Sequence, residues 1–367
     1  MATLPEIVQS FRTQAGWCDR LGSPFTARLL DRAADDLERG GSLLTGLIGV
    51  WPGDPVADAL PLRFAGALHA LVLSGAAPDL AAIYPSQQSG LPGPAALWPA
   101  VLAAIAAHRP HVETYLASPP QTNEVSRSAV LLGGFLEIAR VRAGRLPLRL
   151  LEIGASAGLN QLWDRHRYVL GEEGNWGDPA SPVRLATRWT GPLPHSLDAP
   201  VRVAERAACD VSPIDLDDAA QRLRLRSYVW ADQRERLARL DAAIDLARHA
   251  GIHIQRADAG SWVEERLSEP ADGRVTVLYH SIMWQYMPRE TRERITAAVA
   301  AALRQARPGA PLAWLRFEPA AADAAPELRL TLWPEGEERL LARAHPHGAN
   351  VHWLAAADDG WPGEEPR

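Results

Sequence analysis

Apolar residues recur at spacings of three and four through the first 145 residues, as in 24–38 and 62–73, and strand-like alternation is scarce there. This stretch therefore predicts helices, punctuated by proline and glycine at 51–55, 84–94 and 118–120. From Leu148 the texture changes to short apolar runs alternating with helical segments, the pattern of a mostly parallel sheet. Strands are expected at 148–153, 201–209, 252–257, 275–281, 311–317, 327–333 and 338–344. Helices are expected at 158–168, 217–249 (whole or broken), 260–267 and 289–306. The last strands are joined by short connections, which predicts an antiparallel return at the end of the sheet. Residues 171–199, rich in Gly, Pro and Trp, read as a long insertion between the first two strands. The expected architecture is α/β: a helical N-terminal domain over 1–145, then a sheet domain over 146–367.

Composition narrows the chemistry. A chain of 367 residues, 47% hydrophobic, has ample material for a core, and its net charge of −6 argues against a general nucleic-acid binder. No apolar run approaches the ~20 residues of a membrane span, and residues 1–14 show no basic segment leading into an apolar one, so no secretory signal is expected. The two cysteines, Cys18 and Cys209, lie far apart and suit reduced cytoplasmic thiols. There is no lysine: all 38 basic residues in the Lys and Arg count are arginine. That excludes a lysine Schiff base and a Walker A phosphate loop.

Ligands of open α/β sheets sit outside the carboxyl ends of the strands, so those ends hold the candidate chemistry. The first strand ends on Glu152 and breaks into the small-residue turn Gly154-Ala155-Ser156-Ala157-Gly158. Backbone N–H groups of such a turn, followed by a helix N-terminus, can cradle a ligand. The second strand ends at Cys209-Asp210, an acid placed to accept from ribose hydroxyls. The third ends at Asp258-Ala259, a second acid within reach of an adenine amino group. The fourth runs into His280-Ser281-Ile282-Met283-Trp284-Gln285-Tyr286, whose imidazole, indole and phenol offer a floor for an acceptor substrate.

The series LEIGASAGLN, ACDVSPID, RADAGSW and VLYHSIMWQYM over 148–344 resembles the first four motifs of class I S-adenosylmethionine-dependent methyltransferases, which have a Rossmann-like sheet. The chain is still more similar to an uncharacterised bacterial family, a domain of unknown function with that expected core. It shares with that family QTNE at 121–124, SYVWADQ at 227–233 and LTLWPEG at 330–336. The resemblance implies that Glu152 orients the loop or contacts the methionine amino group, with Gly154 and Gly158 shaping the turn. Ser156 stands where the methyltransferase turn has its middle glycine. Asp210 would hold the ribose and Asp258 the adenine, with His280 to Tyr286 on the acceptor side. It also implies that Gln121, Asn123 and Glu124 form a polar patch over the ligand mouth.

Other chemistries compete for the same residues. G-A-S-A-G also spells the nucleophile elbow of α/β-hydrolases, with Ser156 as nucleophile, Asp210 or Asp258 as the acid, and His280, His345 or His347 as base. No oxyanion-loop motif precedes it. Asp210 and Asp258 also read as turn or helix-capping residues, and Thr122 as the cap of a helix running to Arg142. His345, His347 and His352 lack a paired cysteine or acid at ligand spacing, so no metal site is expected. Trp230 and Trp284 sit beside polar residues and could stack on a planar or cationic acceptor. The expected function is S-adenosylmethionine binding and methyl transfer to a small molecule, by alignment of acceptor and methyl group. His280 or Asp232 would act as base, with Tyr286 beside the acceptor. A serine hydrolase and a non-catalytic sensor of the same ligand are the alternatives. Neither nucleic acid nor membrane is an expected partner.

Overall fold

A computed structural model describes residues 1–87, 94–141, 146–194, 197, 199–321, 324–334 and 338–355. Helices α1 (Leu4–Arg20), α2 (Pro24–Arg39), α3 (Leu43–Ile48), α4 (Leu60–Leu73), α5 (Pro78–Ala81), α6 (Pro94–Ala107), α7 (Arg109–Leu116) and α8 (Arg127–Val141) lead to the first strand, β1 (Leu148–Ile153). A 3₁₀ turn (Leu159–Arg165), β2 (Arg167–Leu170), β3 (Gly174–Trp176), β4 (Arg184–Thr190) and β5 (Val203–Asp210) follow. Then come α9 (Ala219–Ser227), α10 (Arg234–Ala250), β6 (Gln255–Arg256), α11 (Ala259–Arg266) and β7 (Val275–Ser281). The chain continues through a 3₁₀ turn (Trp284–Tyr286), α12 (Arg289–Leu303), β8 (Leu312–Pro319), β9 (Pro326–Trp333), β10 (Glu338–Ala344) and β11 (Asn350–Trp353).

Two compact units divide the chain, one of Met1–Thr122 with Asp217–Asp241, the other of Asn123–Leu216 with Ala242–Arg367. The first unit is held by an apolar core that includes Phe11, Phe25, Phe64, Leu68 and Tyr84. Local sequence starts its helices: Thr3 and Glu6 form a capping box on α1, and Ser42 accepts from Thr45 N–H at the start of α3. Residues 217–241 join this unit because Tyr228 and Ala231 are buried in its core. The expected boundary at 145 therefore falls inside the second unit. There α8 lies so close to the sheet that a Cβ at Gly133 would strike Trp353 and one at Gly134 would strike Leu315. Arg142, the expected end of that helix, lies outside the described residues.

The second unit carries one mostly parallel sheet with some antiparallel strands, in the order β3-β2-β4-β11-β10-β9-β8-β7-β1-β5-β6. Strands β6, β5, β1, β7 and β8 are parallel neighbours. Strands β8, β9 and β10 then run antiparallel, as the short connections predict. One face of the parallel part buries Leu151, Ile153, Cys209 and Leu278 against Trp262, Val263, Ile295 and Val299 of α11 and α12. On the other face Phe135 of α8 stacks on Trp163 and meets Tyr279 edge-on.

Three expectations change. The helix at 158–168 is a 3₁₀ turn followed at once by β2; Leu162 departs from helical dihedrals, and Tyr168 and Leu170 are buried in strand alternation. The 171–199 stretch extends the sheet through β3 and β4, which pair with β2, and β4 pairs with β11. The strand at 252–257 shrinks to two residues, while Ile252 and Ile254 fill a small cluster with Ala155 and Ala208. The 217–249 helix is the broken pair α9 and α10. Among the described residues no helix is long and apolar enough to cross a membrane.

Candidate functional site

The turn after β1 is shaped by left-handed backbone at Gly154 (φ 65°), Ser156 (φ 54°) and Gly158 (φ 71°). Its glycines serve close packing: a Cβ at Gly154 would enter Met283, and one at Gly158 would enter Ile254 and Ile252. The amides of the turn are largely spent inside the protein. Ala155 N–H donates to Cys209 O (3.1 Å), Gly158 N–H to Ala155 O (2.8 Å) and Leu159 N–H to Asn123 Oδ1 (2.9 Å). With no α-helix behind it, the turn lacks the dipole of a helix N-terminus.

Asp210 supports the same turn. Its carboxylate accepts from Ser156 N–H and from Ser212 N–H, each at 2.8 Å. Asp258 is the N-cap of α11, accepting from Ser261 N–H at 3.0 Å, and it also meets Thr291 Oγ1 and Arg294. That backbone hydrogen bond, above all, holds its carboxyl below the usual range. Its side chain is 44% exposed, so carboxylate surface remains for a ligand. Ala259 is buried in the α11 and α12 core.

Glu152 is buried at the end of β1, where its Oε2 accepts from Gln161 Nε2 (3.0 Å) and from the Tyr279 hydroxyl (3.1 Å). Gln161 also donates to the Tyr279 oxygen at 2.6 Å, closing a triangle. Burial raises the Glu152 carboxyl to about 7, against the two hydrogen bonds that favour its ionised form.

His280 lies on the opposite face. Trp314 Nε1–H donates to its Nε2 at 3.3 Å, which places the proton on Nδ1, and that nitrogen meets Glu318 Oε1 at 2.7 Å. Glu318 also accepts from Met283 N–H, and the Trp284 ring stacks on the imidazole at 5.0 Å. Both ring nitrogens are thus engaged within the protein. Through Glu318 the imidazole helps hold the loop after β7. Tyr286, beyond this cluster, is 77% exposed.

The remaining candidates are spread between the two units. Trp230, Asp232 and Gln121 belong to the first. There Asp232 accepts from Phe25 N–H at 2.8 Å and from the Ser23 hydroxyl, which makes it the acceptor at the start of α2. Trp230 packs against the core of that unit. Asn123 and Glu124 belong to the second unit, and both brace the exit of the glycine turn. Asn123 holds the Leu159 amide, and Glu124 O accepts from Asn160 Nδ2 at 3.3 Å. Glu124 Oε1 also accepts from Ser126 N–H, and α8 starts at Arg127, too far along the chain for Thr122 to be its cap.

Ser156 Oγ is buried with no hydrogen-bond partner, and no histidine bonds to it among the described residues. His345 Nδ1 accepts from His347 N–H, and His352 meets Thr190. Gln161, Tyr279, Glu318 and Trp314 are the residues sequence reasoning missed. The pairing of Glu152 with Tyr279 is implicit in the alternation of β7, which puts Tyr279 and His280 on different faces.

These features define an α/β protein whose parallel strands carry acids and strained turns at their carboxyl ends. Residues 8–353 match DUF2332, an uncharacterized protein conserved in bacteria, and the chain belongs to that family. No curated protein and no solved structure matches it.

Proposed function

We propose that the protein binds S-adenosylmethionine at the carboxyl edge of a Rossmann-like sheet of the class I methyltransferase type, and transfers the methyl group to a small-molecule acceptor. The observation behind this reading is the strand order β6-β5-β1-β7-β8, in which the chain order reverses between β1 and β7. A reversal of that kind opens a crevice outside the strand ends, where α/β sheets take their ligands. Both turns bordering it carry strained residues that are not glycine, Ser156 (φ 54°) and Ile282 (φ 51°). Acids end β5 and follow β6, as a nucleoside requires. The side chain facing Gly154 is Met283, whose flexible stem can yield to a ligand.

The cofactor supplies an electrophilic methyl group, so the protein's task is alignment in a dry site. Asp210 and Asp258 would hold the nucleoside, with Trp284 on the acceptor side. Buried free thiols at Cys18 and Cys209 fit a cytoplasmic protein.

The test is calorimetric titration with S-adenosylhomocysteine, on the wild type and on Asp258→Asn, which keeps a capping side chain while removing the charge. Micromolar binding, weakened at least ~10-fold by the substitution, is expected, a change of about 1.4 kcal/mol. No binding by the wild type overturns the reading. Covalent labelling of Ser156 by a fluorophosphonate would then favour acyl transfer, and binding without turnover would mark a sensor.

A further inference from the structure

The 3₁₀ turn that replaces a helix after β1 leaves an open cavity of about 340 Å³ beside β5, within the size range of small-molecule sites. Its lining includes Gln161, Leu162, Arg165, Arg206 of β5, Ile252 and His253. The Arg206 side chain is only 16% exposed, and its Nη2 contacts both oxygens of Asp164, at 2.8 and 2.7 Å. Its Nη1 is buried with no partner. A buried donor of a charged group is costly to leave unsatisfied, and a guanidinium offers it in a fixed, planar direction. Arg165 makes no ion pair among the described residues.

We infer that this cavity is an anion site, which takes the carboxylate or phosphate of a small organic molecule. Arg206 Nη1 supplies the inner donor and Arg165 the outer charge, while Leu162 and Ile252 meet the carbon skeleton. Asp164 neutralises Arg206, so the site carries about one net positive charge from its arginines and suits a single oxyanion over a polyphosphate. It is separate from the strand-end acids: Arg206 precedes Asp210 by four residues, about 13 Å along a strand at ~3.3 Å per residue. The inference does not depend on S-adenosylmethionine binding.

The test is calorimetry with inorganic phosphate and with benzoate at matched ionic strength, on wild type, Arg165→Ala, and Arg206→Gln combined with Asp164→Asn. The double variant leaves no buried charge unpaired. Binding by either probe that weakens ~10-fold or more in Arg165→Ala, with the melting temperature unchanged, supports the site. Phosphate alone would mark a phosphoryl group, and benzoate alone a carboxylate, as what it recognises. A shift of the Arg206 side-chain Nε–H resonance on titration would place the anion. Asp258→Asn, in the proposed nucleoside site, should bind both probes like wild type. Binding of neither probe by the wild type, or equal binding by wild type and Arg165→Ala, overturns the inference.

Discussion

Tyr279 and His280 are consecutive in β7 and act on opposite faces of the sheet. The phenol donates to Glu152 at 3.1 Å, and the imidazole meets Glu318 at 2.7 Å. The two titratable clusters at the centre of this sheet are therefore separated by the sheet itself, although their residues adjoin in sequence.

Glu152 makes stability fall as pH rises. Its carboxyl is at about 7 in the folded protein against an ordinary 4.5, so between those values the folded state binds the extra proton. The contribution is fully present below about 4.5 and lost through 7, amounting to roughly 3 kcal/mol at ~1.4 kcal/mol per unit. Thermal melts from pH 5 to 8 should show the wild type losing stability with a slope that Glu152→Gln lacks. Equal slopes would assign the dependence to another group.

Tyr279→Phe removes one hydrogen bond to the ionised Glu152 and leaves Gln161 with a single acceptor. The Glu152 carboxyl should titrate still higher by carbon NMR, with about 1–3 kcal/mol lost in urea unfolding. A carboxyl that titrates lower in the variant would contradict the assigned donor.

Asn123→Ala strips the acceptor from the Leu159 amide at the exit of the glycine turn. The expected cost is about 1–3 kcal/mol, with faster hydrogen exchange at Leu159, and Asn123→Asp should restore most of it because an acceptor oxygen remains. Failure of the aspartate to rescue would point to a role for the amide nitrogen.

Gly158→Ala places a methyl group against Ile254 in left-handed backbone and should cost about 1–3 kcal/mol. Adding Ile254→Ala makes room, so the double variant should lose less than the sum of the two single losses. Simple additivity in urea unfolding would show that the backbone alone sets the cost.

Much of the parallel core was legible. Strands β1 and β7 fall where apolar runs end at an acid and a histidine. The family was legible too, since QTNE and LTLWPEG are distinctive strings. The region after the glycine turn was misread because Leu159, Leu162 and Trp163 sit at helical spacing, whereas the strand signal of Tyr168 and Leu170 lasts only two alternations. β4 does alternate, with Leu185 and Thr187 buried between exposed Arg184, Ala186 and Arg188, but Gly and Pro on either side masked it. At the site, acids at strand ends were visible as types and positions. What each carboxylate spends its oxygens on, Asp210 on a turn and Asp258 on a helix start, depends on partners distant in sequence or on backbone direction. No spacing rule carries that information.

The placement of β11 bears on how the molecule is made. Residues 350–353 lie between β10 and β4, joining strands from the middle of the chain to its late hairpin. While the nascent chain is still on the ribosome, β4 emerges long before this partner exists and waits with an unpaired edge, a state that invites association with other strands. A polypeptide stopped before Asn350 would keep two such edges, so the continuity of the sheet records that translation has passed Trp353.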